Sequence, residues 1–161
     1  DYSLLLVEGA RSNFARLRRQ LTQNGRLASR ITLHHGLVGK QTGVGNLNEG
    51  EIHYGSHVAE QEGQGTYQVS YLNLDELFSS YPTIHFLKCD IEGSEGDFIM
   101  NYPDLLRKTR HICVETHSAK LFKLCSQRLH ELGFSPPEVL SQLEHEGLQQ
   151  TTFSCVRRPS R

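Results

Sequence analysis

The sequence has no tryptophan, a single methionine and four cysteines that form no C-x-x-C pair. It also lacks an excess of charge, since seventeen Lys and Arg against eighteen Asp and Glu give a formal net charge of −1. Without a basic surplus we expect no nucleic-acid partner, and without an apolar run of ~18–20 residues we expect no membrane span. The cysteine spacing favours small core residues in a reducing compartment, which predicts a cytoplasmic protein. Oligomeric state is left open.

The length and composition predict one soluble domain over residues 1–161. A chain of 161 residues with 37% hydrophobic residues can bury a sizeable core without a disulfide or a metal. No charged and apolar leader precedes the first predicted strand. Because the chain opens on Asp1 and its only methionine is Met100, we expect the natural start to lie elsewhere.

Apolar runs alternate with segments of helical periodicity, which predicts an α/β sheet covered by helices on both faces. Strands are predicted at 4–7, 31–38, 67–71, 84–89, 112–114, 139–143 and 151–156, and helices at 11–24, 74–80, 94 onward with a restart at Pro103, and 118–132. The run at 4–7 is continuous enough to predict a strand buried on both faces, and 84–89 is a second near-continuous apolar run. The glycine-rich stretch 36–65 predicts a loop with a short irregular hairpin. A tight turn at Glu146 and Gly147 predicts an antiparallel closing pair.

Acidic residues follow three of the predicted strands. Glu8 ends the first, Asp90 and Glu92 end the fourth, and Glu115 ends the fifth. In open α/β sheets ligands bind at the carboxyl ends of the strands. A carboxylate in the position of Glu8 can accept hydrogen bonds from the ribose hydroxyls of a nucleoside, or it can rest on the N-terminus of the following helix.

Asp90 and Glu92 fall on one side of the chain because strand side chains alternate, and Gly93 then permits a close approach. Glu95 adds a third acid in the first helical turn. Such a group can hold a divalent cation, act as a general base or bind an amino group, or it can simply cap the helix. Glu115 and His117 repeat the spacing, and His117 can act as a base or a metal ligand. A carboxylate-metal hydrolase using Asp90, Glu92 and Glu115 is one interpretation of this pattern.

The segment around these acids resembles the signature of the FkbM-type methyltransferases, which use S-adenosylmethionine. Residues 86–95 read FLKCDIEGSE, similar to the family pattern hydrophobic-L-K-x-D-[VI]-E-G-x-E. Three further blocks occur in the family's order: Glu8 with Phe14 and Leu17, the segment 74–77, and the segment 114–117.

The resemblance implies a Rossmann-like class I methyltransferase sheet, mostly parallel, with an antiparallel strand pair at the C-terminus. It implies S-adenosylmethionine as cofactor and no metal. It assigns Glu8, Gly9, Leu37, Val38 and Asp90 to the cofactor, Glu95 and Glu115 to the substrate, and catalysis to Asp90, Glu92 and His117. Which of the last three is the base stays open at this stage.

The chain departs from the family at its start, where we expect the first βα unit and its glycine-rich turn to be missing. The implied function is O-methylation of a small-molecule, sugar or lipid hydroxyl. The alternative is a catalytically inactive Rossmann-like remnant that acts as an interaction module. A missing central strand exposes the apolar edges of its neighbours, so we expect weak cofactor binding from this piece alone.

Overall fold

The computed structural model describes residues 2–48, 57–59, 66–145 and 148–158. These residues form two compact units, one comprising 1–38 and 42–72 and the other 39–41 and 73–161. The single domain expected over 1–161 stays a prediction. The turn predicted at Glu146 and Gly147 lies outside the described residues.

The first unit contains two small sheets and two helices. Its elements are β1 (Leu4–Glu8), α1 (Arg11–Gln23), α2 (Gly25–Ala28), β2 (Ile31–His35), β3 (Val44–Asn48), β4 (His57–Ala59) and β5 (Thr66–Ser70). Strands β1 and β2 pair in parallel, with Glu8 opposite His35. Strand β3 lies between β4 and β5 and is antiparallel to both. The expected irregular hairpin is therefore part of a three-stranded antiparallel sheet.

The first unit has its own apolar core. Four apolar side chains are buried together, namely Ala10, Leu37, Leu47 and Val69. Gly36 packs so closely that a Cβ there would lie 2.4 Å from Cγ of Leu72. The backbone of Leu37 is held by Ser70, whose carbonyl accepts from the Leu37 N–H at 2.9 Å.

The second unit is a four-stranded mixed sheet with helices. Its elements are α3 (Leu74–Leu77), β6 (Ile84–Cys89), α4 (Glu95–Asn101), α5 (Pro103–Lys108), β7 (Thr109–Thr116), α6 (Ala119–Glu131), β8 (Glu138–His145) and β9 (Leu148–Val156). The strand order is β6-β7-β9-β8. Strands β6 and β7 are parallel, whereas β9 is antiparallel to both β7 and β8. The predicted antiparallel closing pair is confirmed by β8 and β9.

Local sequence signals explain where these helices begin. The side chain of Asn73 accepts from the backbone N–H groups of Asp75 and Glu76 and starts α3. Ser118 caps α6 by accepting from Leu121 N–H. Pro103 occupies the first turn of α5, where its missing N–H costs no hydrogen bond. Gly133 then ends the α6 region with a φ of 91°.

Two expectations for the sheet are corrected. Among the described strand pairs only β1–β2 and β6–β7 are parallel, so the pairing is mixed rather than mostly parallel. The predicted burial of 4–7 on both faces is also wrong, because Leu4 is 44% exposed. The apolar run of β6 is likewise open on one side, since Phe86 is 63% exposed. Strands β1 and β6 each have one hydrogen-bonded neighbour among the described residues, whereas the buried strand β7 has two. The apolar runs therefore predicted where these strands lie but not which of their side chains are buried.

Candidate active site

The loop after β6 reverses the chain through two residues in the left-handed region. Glu92 has a φ of 52° and is the only non-glycine residue with positive φ in the described parts of the chain. Gly93 follows with a φ of 99°. An L-residue in this region costs about 1–2 kcal/mol, so Glu92 is held there by its surroundings. The turn leads directly into α4, which begins at Glu95.

Glu95, the first residue of α4, is fully buried and closes this turn. Its Oε1 accepts from the backbone N–H of Gly93 at 3.0 Å and of Ile91 at 3.3 Å. Its Oε2 is buried and has no hydrogen-bond partner among the residues that the structure describes. The structure therefore does not support the substrate contact expected of Glu95, because a side chain with 0% exposure offers no surface to a ligand.

His117 lies just beyond the end of β7 and joins the two glutamates. Its Nδ1 is 3.1 Å from Oε1 of Glu95, and its Nε2 is 3.3 Å from Oε2 of Glu92. The side chain of His117 is 23% exposed and that of Glu92 is 41% exposed. The imidazole thus connects a buried carboxylate to one that reaches solvent.

The surroundings shift both groups that reach solvent. The hydrogen bond to Glu95 raises the pKa of His117, and the nearby carboxylates add to this against the opposing effect of burial. Burial raises the pKa of Glu92, while His117 acts in the opposite direction. The shift of Glu92 favours its protonated form, and the shift of His117 favours the imidazolium.

Asp90 and Glu115 lie nearby on the same sheet. Oδ2 of Asp90 is 2.9 Å from Nζ of Lys88, in an ion pair open to solvent. Glu115 accepts from Nε2 of Gln150 and, at 3.3 Å, from the hydroxyl of Thr152. Both partners of Glu115 are on β9, so this carboxylate is held against the sheet and only part of it faces outward.

A metal ion is not assigned to this group. Single ligand atoms of Asp90, Glu115 and His117 lie within 4.8 Å of one another. However, both ring nitrogens of His117 already contact carboxylates, and Lys88 places a positive charge on Asp90. Exposed acids at such distances do not define a metal site by themselves.

In the first unit, Glu8 is half-buried at the carboxyl end of β1. Its Oε1 accepts from the N–H of Ala10 at 2.7 Å, at the start of α1. This is the capping role considered from the sequence, and it engages one carboxylate oxygen. A carboxylate has two oxygens that accept hydrogen bonds, so Glu8 can still accept from ribose hydroxyls.

The neighbouring cofactor candidates have structural roles. Leu37 is 6% exposed and belongs to the core of the first unit, so adenine contact by its side chain is not supported. Gly9 approaches it closely, since a Cβ at Gly9 would lie 2.9 Å from Cδ2 of Leu37. Val38 is half-buried and stays available.

Sequence reasoning missed the partners that set the state of each acid. The ion pair of Lys88 with Asp90 was not predicted, although a spacing of two residues along a strand places both side chains on one side of the chain. Gln150 and Thr152 were not identified, because their approach to Glu115 depends on the antiparallel register of β9 against β7. No signal within either segment predicts that register.

Solved structures with a similar fold are methyltransferases. A precorrin-6y C5,15-methyltransferase from Geobacter metallireducens GS-15 is 12% identical, with a TM-score of 0.53 over 97% of this chain and 67% of that one. The METTL16 MTase domain is 11% identical, with a TM-score of 0.53 over 98% of this chain and 51% of that one. The chain thus spans between half and two thirds of the length of these structures. Together they define a Rossmann-like α/β fold of the class I methyltransferase type.

The family model for the methyltransferase FkbM domain matches residues 3–148. The chain therefore belongs to the FkbM methyltransferase family, as the motifs predicted. The predicted cofactor, S-adenosylmethionine, is confirmed as that of the family. No curated protein gives a significant match. None of the helices in the described parts of the chain is long and apolar enough to cross a membrane.

Proposed function

We propose that the protein transfers the methyl group of S-adenosylmethionine to a hydroxyl of a small molecule, sugar or lipid. The observation that carries this proposal is the pair of Glu92 and His117, 3.3 Å apart, at the end of a strand whose sequence matches the family. An alcohol must lose its proton as it gains a methyl group, and this pair can accept one.

Among the three candidates for the base we favour Glu92. Its carboxylate is 41% exposed, whereas His117 already engages both ring nitrogens. Asp90 is already engaged in an ion pair with Lys88 at 2.9 Å. Burial also raises the pKa of Glu92, which suits a group that must take a proton from an alcohol.

When bound, S-adenosylmethionine supplies an electrophilic methyl group that leaves its sulfur with the bonding electrons remaining on that sulfur. The chain's part is to orient the acceptor in line and to take the hydroxyl proton onto Glu92. We further propose Asp90 for the amino group of the cofactor's methionine part and Glu8 for the ribose hydroxyls. Glu115 remains a proposed substrate contact through its outward-facing part.

The finer sheet arrangement is also a proposal. The similarity of the fold to solved class I methyltransferases supports a sheet of the class I type. Four free cysteines support a cytoplasmic location.

The test is transfer of a labelled methyl group from S-adenosylmethionine by the full-length protein to panels of alcohols, sugars and lipids. We expect product from at least one hydroxyl class, and we expect Glu92→Gln to reduce kcat by about 10²-fold or more. Asp104→Asn is the matched control, since Asp104 is an exposed carboxylate paired with Arg107. The inactive-remnant alternative instead predicts no methylated product. It also predicts that Asp90→Ala and Glu92→Ala leave the protein's biological readout unchanged.

A further inference from the structure

Glu95 is the buried member of the group around His117. Its side chain has no exposure, so it cannot reach a substrate or a cofactor. A carboxylate is rarely buried unless its charge is compensated. Among the described hydrogen-bond partners of Glu95, the group that can carry a positive charge is His117, whose Nδ1 lies 3.1 Å from Oε1 of Glu95.

One oxygen of Glu95 fixes two elements at once. Its Oε1 accepts from Ile91 and Gly93 in the loop after β6 and from His117 at the end of β7. The loop that carries Glu92 and the imidazole that faces Glu92 are therefore both hydrogen-bonded to Oε1 of Glu95. A substitution of Glu95 therefore alters the geometry of the Glu92–His117 pair while both residues of the pair are still present.

The same contact determines which ring nitrogen keeps its proton. A carboxylate only accepts hydrogen bonds, so Nδ1 of His117 must be the N–H donor to Glu95. Nε2 is then the nitrogen that gains or loses the second proton. It faces Oε2 of Glu92 at 3.3 Å, so one proton can lie on either Nε2 or Glu92.

Resting on the function proposed above, we propose that Glu95 is a positioning residue that holds His117 as the Nδ1–H form, with Nε2 directed at Glu92. Glu92 and His117 then act as one proton acceptor. In the transfer step the acceptor's O–H bond breaks and its proton passes to Glu92. The acceptor oxygen forms the bond to the methyl carbon, whose bond to the cofactor's sulfur breaks with the electron pair remaining on sulfur. The proton then leaves to solvent from the exposed side of Glu92.

Several charged groups face this histidine, and all bear on its protonation. Glu92 and Asp90 come from the loop and Glu95 from α4. A carboxylate oxygen of Glu115 on β7 lies within 4.8 Å of a ring nitrogen of His117, and Lys88 on β6 pairs with Asp90. The carboxylates favour the imidazolium, with the Glu95 hydrogen bond as the largest cause of the raised pKa of His117. Removing the charge of Glu95 should therefore lower that pKa more than removing any other acid of the group.

The experiment is ¹⁵N NMR of histidine-labelled full-length protein across a pH series. In the wild type we expect the neutral ring of His117 to be the Nδ1–H tautomer, and finding the Nε2–H tautomer would overturn the proposal. In Glu95→Gln we expect the titration midpoint of His117 to fall and the Nε2–H tautomer to appear. An unchanged midpoint and tautomer in a folded variant also contradict it.

A kinetic arm separates positioning from loss of structure. Glu95→Gln should lower kcat by about tenfold or more while the KM for S-adenosylmethionine stays within about twofold. Glu131→Gln, an exposed residue of α6 paired with Arg128, should leave kcat, KM and the His117 titration unchanged. If the wild type transfers no methyl group, the proposed function fails, while the tautomer of His117 still decides the role of Glu95.

Discussion

Replacing Glu92 by glycine and by alanine separates the chemical role of this residue from its backbone conformation. Both variants lose the carboxylate and the 3.3 Å pair with His117, so that loss cancels in the comparison. Only glycine relieves the φ of 52°. The left-handed conformation costs a non-glycine residue about 1–2 kcal/mol, and the greater freedom of unfolded glycine returns about 0.5–1 kcal/mol.

We therefore expect Glu92→Gly to be about 1 kcal/mol more stable toward unfolding than Glu92→Ala. With a urea dependence of about 1–3 kcal/mol per molar, the midpoints should differ by roughly 0.3–1 M. Both variants should lose methyl transfer. Urea denaturation followed by circular dichroism measures the first effect, and labelled methyl transfer measures the second.

Gly93→Ala is the matched control for this comparison. Gly93 has a φ of 99°, and a Cβ there meets no atom within 4 Å, so its destabilisation reports backbone conformation alone. An alanine at 92 as stable as glycine refutes the claim of strain. A glycine variant that keeps full transfer activity refutes Glu92 as the base.

Two further predictions concern stability. Glu95 and the nearby carboxylates raise the pKa of His117, so the charged imidazole stabilises the fold fully at pH values below the ordinary pKa of histidine, and this stabilisation is lost as pH rises through the raised pKa. The urea midpoint of the wild type should therefore fall over that pH interval more than the midpoint of His117→Gln. Parallel pH curves for the two proteins would contradict the pairing. Gly36→Ala should destabilise by about 1–3 kcal/mol through overpacking, because its Cβ meets Leu72 at 2.4 Å. Gly25→Ala, with nothing within 4 Å, should be neutral or slightly stabilising in thermal melts, and equal losses at the two sites contradict the packing argument.

Local signals in the sequence predicted much of the second unit. The apolar run ending at Cys89 matches β6, Pro103 marks the restart at α5, and Ser118 caps α6. Each of these depends on residues within a few positions of one another, so periodicity and capping suffice. The family motif likewise placed the acids at the ends of β6 and β7.

The parts that could not be predicted depend on contacts between distant segments. Glu95 has the sequence context of an exposed helix cap, and its burial follows from the turn through Glu92 and Gly93. Leu37 was expected against a cofactor, but the return of β5 encloses it in a core. The exposed side of β6 similarly depends on which strands pair with it, which the run of apolar residues does not encode.

The most direct test of the account is calorimetric titration of the full-length protein with S-adenosylmethionine. We predict binding at one site per chain, weakened by about tenfold or more in Glu8→Ala through the loss of charge-assisted hydrogen bonds. Binding should be unchanged in Glu76→Ala, because this carboxylate of α3 has no proposed ligand contact. Absence of binding heat in the wild type, at protein concentrations that detect micromolar affinity, would contradict the assignment of this chain as a methyltransferase.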